Sequence, residues 1–211
     1  NCIGGFTSSR NTYSFAAAEV LVPHVLGTFR GHLDTTTSWE SITSDCELFV
    51  AFGGVPLKNG QISQGGTGAH VQKAGFMAAQ EAGVEFVNIS PLRSDLLDRV
   101  GADWLAIRPN TDVALMLALA HVLISEDLYD RDFLDRYTVG FDRFAAYLSG
   151  ETDGVAKTPE WAAEICELSA ETIRALARRM ARSRTMILVA WALTRQDHGE
   201  QPFWAAIVMA S

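Results

Sequence analysis

Three short segments concentrate the side chains of this sequence that could do chemistry. They are Phe52-Gly53-Gly54-Val55-Pro56-Leu57-Lys58-Asn59, Asn88-Ile89-Ser90-Pro91-Leu92-Arg93-Ser94-Asp95 and Arg108-Pro109-Asn110-Thr111-Asp112. In the first, Gly53 and Gly54 allow close backbone approach, and Lys58 and Asn59 offer donors to a phosphate or a sugar. In the second, Arg93 supplies a planar fork for a phosphate or a purine edge. In the third, Asp112 could accept from two adjacent donors such as N1 and N2 of guanine. Taken one at a time, each segment also reads as ordinary turn chemistry: Gly-Gly to leave a strand, Ser-Pro to break one, Thr-Asp to cap a helix. A fourth feature stands near the start, where Ser14 precedes Phe15-Ala16-Ala17-Ala18 and reads by residue type alone as a helix N-cap.

The elements that must carry these segments follow from hydrophobic patterning. Residues 48–52, 85–89, 104–107 and 185–190 are short apolar runs of the kind that form buried parallel strands. Helices are expected near residues 15–21 and 70–82, the latter closed by Gly83. A further helix, capped by Thr111 or Asp112, runs to about Ile124. It is apolar nearly all round and so belongs between layers. Thr158-Pro159-Glu160 opens another helix, and Ser169 caps one reaching about Ala181. Residues 144–157, with Gly150 and Gly154, read as a surface loop. Strands alternating with helices predict an α/β fold, with an open, mostly parallel Rossmann-like sheet covered on both faces. In such a sheet, ligands bind beyond the carboxyl ends of the strands. The three segments fall at three successive strand ends, which favours one extended ligand lying across the sheet edge.

Composition removes several classes. A formal charge of −8 argues against a nucleic-acid surface. The cluster Arg174, Arg178, Arg179, Arg182 and Arg184 reads as the solvated end of a helix. The longest apolar run, 113–120, is far short of the ~20 residues that span a bilayer. Cys2, Cys46 and Cys166 include no CxxC pair and are expected as small buried hydrophobes. The five histidines (His24, His32, His70, His121, His198) show no HExxH spacing, and His121 reads as a core histidine. The first strand lacks the GxGxxG fingerprint of a nicotinamide-binding domain, and Gly65-Gly66-Thr67-Gly68 does not replace it. Walker A and GxSxG motifs are missing. The chain opens at Asn1 and stops at Met209-Ala210-Ser211 within an apolar run, as an internal piece of a longer polypeptide would.

Taken in order, Asn11-Thr12-Tyr13-Ser14-Phe15-Ala16-Ala17-Ala18-Glu19, the three loop segments and His198-Gly199-Glu200-Gln201 resemble the dimethyl sulfoxide reductase family of molybdenum enzymes. They are nearest its biotin sulfoxide and methionine sulfoxide reductase branch, and the resemblance covers essentially the whole chain. It implies a larger multidomain enzyme. Residues 1–44 would end a molybdenum-proximal segment of a neighbouring domain, and 45–211 would form a Rossmann-like domain for one guanine dinucleotide portion of the cofactor. It implies molybdenum held by bis(molybdopterin guanine dinucleotide), with Ser14, rather than a cysteine, as protein ligand and catalytic residue. The cofactor-binding set it implies is Gly53, Gly54, Pro56, Lys58, Asn59, Ser90, Pro91, Arg93, Ser94, Asn110, Thr111 and Asp112, joined by Trp191, His198 and Gln201. The reaction implied is oxygen-atom transfer from a small S-oxide, methionine or biotin sulfoxide, to Mo(IV). Electrons would come from a cytochrome or a soluble reductant. Asn11-Thr12 stands where dimethyl sulfoxide and trimethylamine N-oxide reductases usually carry Gly-Asp. A reductase of those substrates and a cofactor-binding lobe without activity of its own are the alternatives.

Overall fold

A computed structural model describes residues 4–8, 12–61 and 68–211. Asn11, Cys2 and the Gly65-Gly66-Thr67 tract fall outside the described residues. Three helices, α1 (Ala16–Leu26), α2 (Arg30–Asp34) and α3 (Trp39–Asp45), precede the first strand, β1 (Leu48–Phe52). Then come α4 (Gln72–Glu81), β2 (Glu85–Ile89) and β3 (Asp103–Leu105). A run of five helices follows: α5 (Asp112–Ser125), α6 (Arg131–Tyr137), α7 (Phe141–Leu148), α8 (Pro159–Cys166) and α9 (Ala170–Arg182). The described chain closes with β4 (Thr185–Val189) and α10 (Gln201–Met209).

The four strands form one sheet in the order β3-β2-β1-β4, and every pairing is parallel. The expected open α/β sheet is what forms, and all four carboxyl ends lie on one edge. Because the order turns back at β1, the topological switch lies between β1 and β4. Alternation along the strands divides the core. Leu48, Val50, Phe52, Val87 and Ile89 pack with Leu115, Leu119, Ala162, Ile173 and Leu176 on one face. Phe49, Ala51 and Phe86 meet Ile42, Phe76 and Ala79 on the other. A fully buried Phe or Leu contributes roughly 1.5–3 kcal/mol relative to an exposed one, so these strands drive assembly. Helix α5 is the centre of the first layer, touching α8, α9 and α10, with Leu115, Met116 and Leu119 fully buried. Its all-round apolar sequence is explained by that position.

Local signals explain several boundaries. Ser169 accepts from the Thr172 amide at 3.0 Å and Thr158 from the Trp161 amide at 3.2 Å, as N-caps should. Three expectations need correction. Residues 144–148 are not loop but the second half of α7, in which Phe141, Phe144 and Leu148 recur at helical spacing and Leu148 is buried. The turn after it is fixed from within, since Lys157 is buried, bonds Asp153 at 2.6 Å and lies 4.4 Å from the Tyr147 ring centroid. The arginine cluster is not simply a solvated helix end. Arg178 is bidentate to Glu126 at 2.8 Å, Arg179 bridges Glu85 and Asp103 at 2.7 Å, and Arg184 meets Glu47 at 3.1 Å. These pairs stitch the amino-terminal edge of the sheet. Finally, β3 ends at Leu105, and Ile107 leaves the sheet to become buried among residues of α5, α8 and α9.

Cys166 is buried as expected, but Cys46 is only partly so and its thiol donates to the Leu48 carbonyl at 3.3 Å. His121 is half-buried on α5, where desolvation lowers its pKa below the ordinary imidazole value and Nδ1 has no hydrogen-bond partner. Among the described residues, no helix is long and apolar enough to cross a membrane.

Candidate cofactor site at the carboxyl edge of the sheet

The loops after the four strands are tied to one another before any ligand is considered. Each ladder continues one step past its strand. Gly53 donates to the Ile89 carbonyl at 2.8 Å, Ser90 to Leu105 at 3.2 Å, and Ala190 to Phe52 at 2.9 Å. Gly53 and Gly54 both have positive φ, 82° and 72°. What approaches them closely is protein. A Cβ on Gly53 would lie 2.9 Å from the Ala190 Cβ, and one on Gly54 would lie 2.6 Å from the Asp95 carbonyl oxygen. The two glycines therefore let the loop after β1 pack against the loops after β4 and β2 at once.

The loop after β2 is organised from inside. Ser90 is buried, donates to the Asp95 carboxylate at 2.7 Å and accepts the Leu92 amide at 3.3 Å. Trp104 Nε1 donates to the Ser90 carbonyl at 2.8 Å. Asn88, also buried, donates through Nδ2 to the Arg93 carbonyl at 3.2 Å and has no partner for Oδ1. A cleft of about 130 Å³ opens here, bordered by Asn88, Arg93, Asp98 and Trp104. Pro91, Arg93 and Ser94 project outward and are exposed. Lys58 and Asn59 are exposed too, on a short 3-10 turn spanning Leu57–Gln61, with Pro56 half-buried before them.

At the third strand end Asn110 is exposed with φ 64°, a left-handed conformation that asparagine tolerates better than most residues. Thr111 occupies the N-cap position without capping, its hydroxyl donating instead to the Arg108 carbonyl at 2.6 Å. Asp112 is 3% exposed in the first turn of α5. Desolvation raises its carboxyl from 3.8 to about 6, partly offset by its own backbone amide.

The fourth strand end carries Trp191, half-exposed, then the turn through His198 (φ 53°, exposed) to Gln201 at the start of α10. Trp191 is the centre of an aromatic cluster, with ring centroids 4.8 Å from Phe15, 5.9 Å from Phe29 and 5.6 Å from Phe203. That cluster holds α1 against the sheet edge. Ser14 lies in the turn before α1, exposed. Its hydroxyl is not the N-cap, because Phe15 takes that position and no side chain caps the helix. The Ser14 carbonyl instead accepts from the Thr194 hydroxyl at 3.0 Å. Ser14 and the loops of all four strands thus share one edge of the molecule.

Asn88 and Asp95 bound a segment singled out for its chemistry but carry no individual role in that reading, and Thr194 lies outside every such segment. Asn88 carried a signal, being a polar residue on an inward position of the apolar run Phe86-Val87-Asn88-Ile89. Asp95 acts on Ser90 within its own loop and on Gly54 and Val55 in the loop after β1, and Thr194 acts on Ser14, 180 residues away.

A doubly wound α/β sheet with polar loops gathered at its carboxyl edge defines a class that binds extended ligands across that edge. The match to known proteins narrows it. The molybdopterin oxidoreductase family model matches residues 1–211, and the chain belongs to that family. It is 46% identical over its full length to a dimethyl sulfoxide/trimethylamine N-oxide reductase of Cereibacter sphaeroides, covering 25% of that protein. It is 44% identical to a biotin sulfoxide reductase of the same organism, covering 28%. A trimethylamine-N-oxide reductase of Haemophilus influenzae is 41% identical, with 25% covered. The chain thus spans about a quarter of the length of the curated relatives it matches. The structure of acetylene hydratase from Pelobacter acetylenicus shares the fold with a TM-score of 0.62 over 81% of this chain and 23% of that one. Family membership implies molybdenum with a molybdopterin cofactor.

Proposed function

We propose that the complete protein is a molybdenum-dependent reductase that removes oxygen from small S-oxides, with methionine or biotin sulfoxide as its substrate class. The observation that carries the reading is the exposed Ser14 turn tied to the end of β4, on the edge that bears the other strand-end loops. The donor set fits a dinucleotide-bearing cofactor. Lys58, Asn59, Arg93 and Ser94 are exposed donors, and buried Asp112 is a carboxyl with no cationic partner among the described residues. When bound, the molybdenum centre supplies the two-electron oxygen-atom transfer.

In this reading the cofactor is bis(molybdopterin guanine dinucleotide), and residues 45–211 form the domain holding one guanine dinucleotide. Asp112 accepts from the guanine edge, while Lys58 and Arg93 neutralise phosphate charge. Gly53, Gly54, Pro56, Ser90, Pro91, Asn110, Thr111, Trp191, His198 and Gln201 shape and orient the loops around it. Ser14 supplies the oxygen ligand from a segment, residues 1–44, that adjoins this domain. An external donor, cytochrome or soluble reductant, returns the electrons.

A second reading is favoured by the relatives themselves, since dimethyl sulfoxide and trimethylamine N-oxide reductases match the chain as well as biotin sulfoxide reductase does. One experiment separates the two. The complete protein, expressed in a host that assembles the cofactor, is assayed by oxidation of a reduced viologen with methionine sulfoxide, biotin sulfoxide, dimethyl sulfoxide and trimethylamine N-oxide. A kcat/KM preference for the first two supports the methionine or biotin sulfoxide reading. A preference for dimethyl sulfoxide keeps the S-oxide class but replaces that substrate, and a preference for trimethylamine N-oxide replaces the S-oxide reading. Loss of most turnover in Ser14→Ala is expected; normal turnover would remove the ligand assignment.

A further inference from the structure

We propose that Thr194 is a positioning residue for Ser14: its hydroxyl fixes the backbone of the turn from which the Ser14 side chain projects. The proposal rests on Ser14 being the protein ligand. Its geometric part does not. Thr194 Oγ1 lies 3.0 Å from the Ser14 carbonyl and 2.8 Å from the Trp191 carbonyl, so one hydroxyl proton is shared between two acceptors. The Trp191 bond is the local, helix-like contact three residues back. The Ser14 bond joins residues at opposite ends of the chain.

The turn has little else to hold it. The Ser14 amide donates only within its own segment, to Thr12 Oγ1 at 3.1 Å, and α1 starts at Ala16 with no capping side chain from Phe15 before it. Phe15 is anchored on Trp191, a contact to the ring of Phe15 and not to the peptide before it. Among the described residues, the Thr194 bond is the one hydrogen bond from residues 12–14 to the sheet edge. Thr194 is itself held. Gly199 is buried and sits against the Thr194 backbone so closely that a Cβ there would run into the Thr194 carbonyl. The order of dependence is therefore Gly199, then Thr194, then Ser14.

The test compares Thr194→Val, which keeps shape and removes the hydroxyl, with Thr194→Ser, which restores it, in the complete protein. Two readouts besides activity are used. One is amide hydrogen exchange across residues 12–16; the other is the electron paramagnetic resonance spectrum of the half-reduced metal centre. A lost hydrogen bond of ordinary strength predicts exchange about tenfold faster in Thr194→Val. The spectrum should be altered or heterogeneous, kcat should fall with KM little changed, and Thr194→Ser should return all three towards wild type. Wild-type exchange and an unchanged spectrum in Thr194→Val would overturn the proposal whatever the activity. Faster exchange together with a Ser14→Ala spectrum identical to wild type would overturn the catalytic role and locate the failure in the ligand assignment.

Discussion

Asp112 shows how much a single buried carboxyl can report. Its ordinary value is 3.8 and burial raises it to about 6 in the folded chain. A group whose pKa is raised on folding holds its proton more tightly in the folded state. The contribution of Asp112 to stability is therefore fully present below about pH 4, is lost as pH rises towards 6 and then levels off. The gap corresponds to roughly 3 kcal/mol at neutral pH. Asp112→Asn should raise Tm at pH 7.5 and leave it nearly unchanged at pH 3.5. Equal shifts at both pH values would show that burial of charge is not what the site costs. The same carboxyl predicts ligand behaviour, because two N–H donors held against it favour the ionised form. Binding of guanosine diphosphate to the cofactor-free complete protein should tighten between pH 5 and pH 7.5, measured by calorimetry. Affinity flat across that range would remove Asp112 from the base-binding role.

At the scale of elements, Gly54 sets the arrangement of the carboxyl edge, while Leu148 packs α7 into the fold. A Cβ on Gly54 would meet the Asp95 backbone, and the left-handed φ of 72° compounds the strain. Gly54→Ala should cost about 1–3 kcal/mol by forcing the first two loops apart. The loss should be visible as a lower midpoint in urea together with weaker nucleotide binding. Leu148→Ala, on the buried face of α7, should cost about 2–5 kcal/mol without altering binding at the edge. Elements with a strong local signature were legible. The apolar runs of β1 and β2 and the caps at Thr158 and Ser169 each announce themselves within a few residues. Helix α7 was not, because Gly150 and Gly154 drew attention to the turn behind it, although the spacing of Phe141, Phe144 and Leu148 was there to read. Among the candidate site residues, exposed Lys58 and Arg93 could be picked out by type. Thr194 could not, since its partner Ser14 lies 180 residues away.

Across the whole molecule the two edges of the sheet do different work. Arg179, with Glu85 and Asp103, and Arg184, with Glu47, lace the amino-terminal edge. The carboxyl edge keeps Lys58 and Arg93 turned outward. The pairing of β1 with β4 has a further consequence in time. Leu48 lies beside Thr185, 137 residues later by subtraction of the two positions. On a ribosome adding about 5–20 residues per second, that edge of β1 waits roughly 7–27 seconds for its neighbour. Until then a fully apolar strand offers its unpaired amides to any passing chain. Nascent chains arrested before β4 has emerged should be cleaved readily around β1 by a mild protease, and chains arrested after it should resist. The sheet that gathers the site is thus completed only once β4 has emerged, and the interval between β1 and β4 is when a chaperone has most to protect.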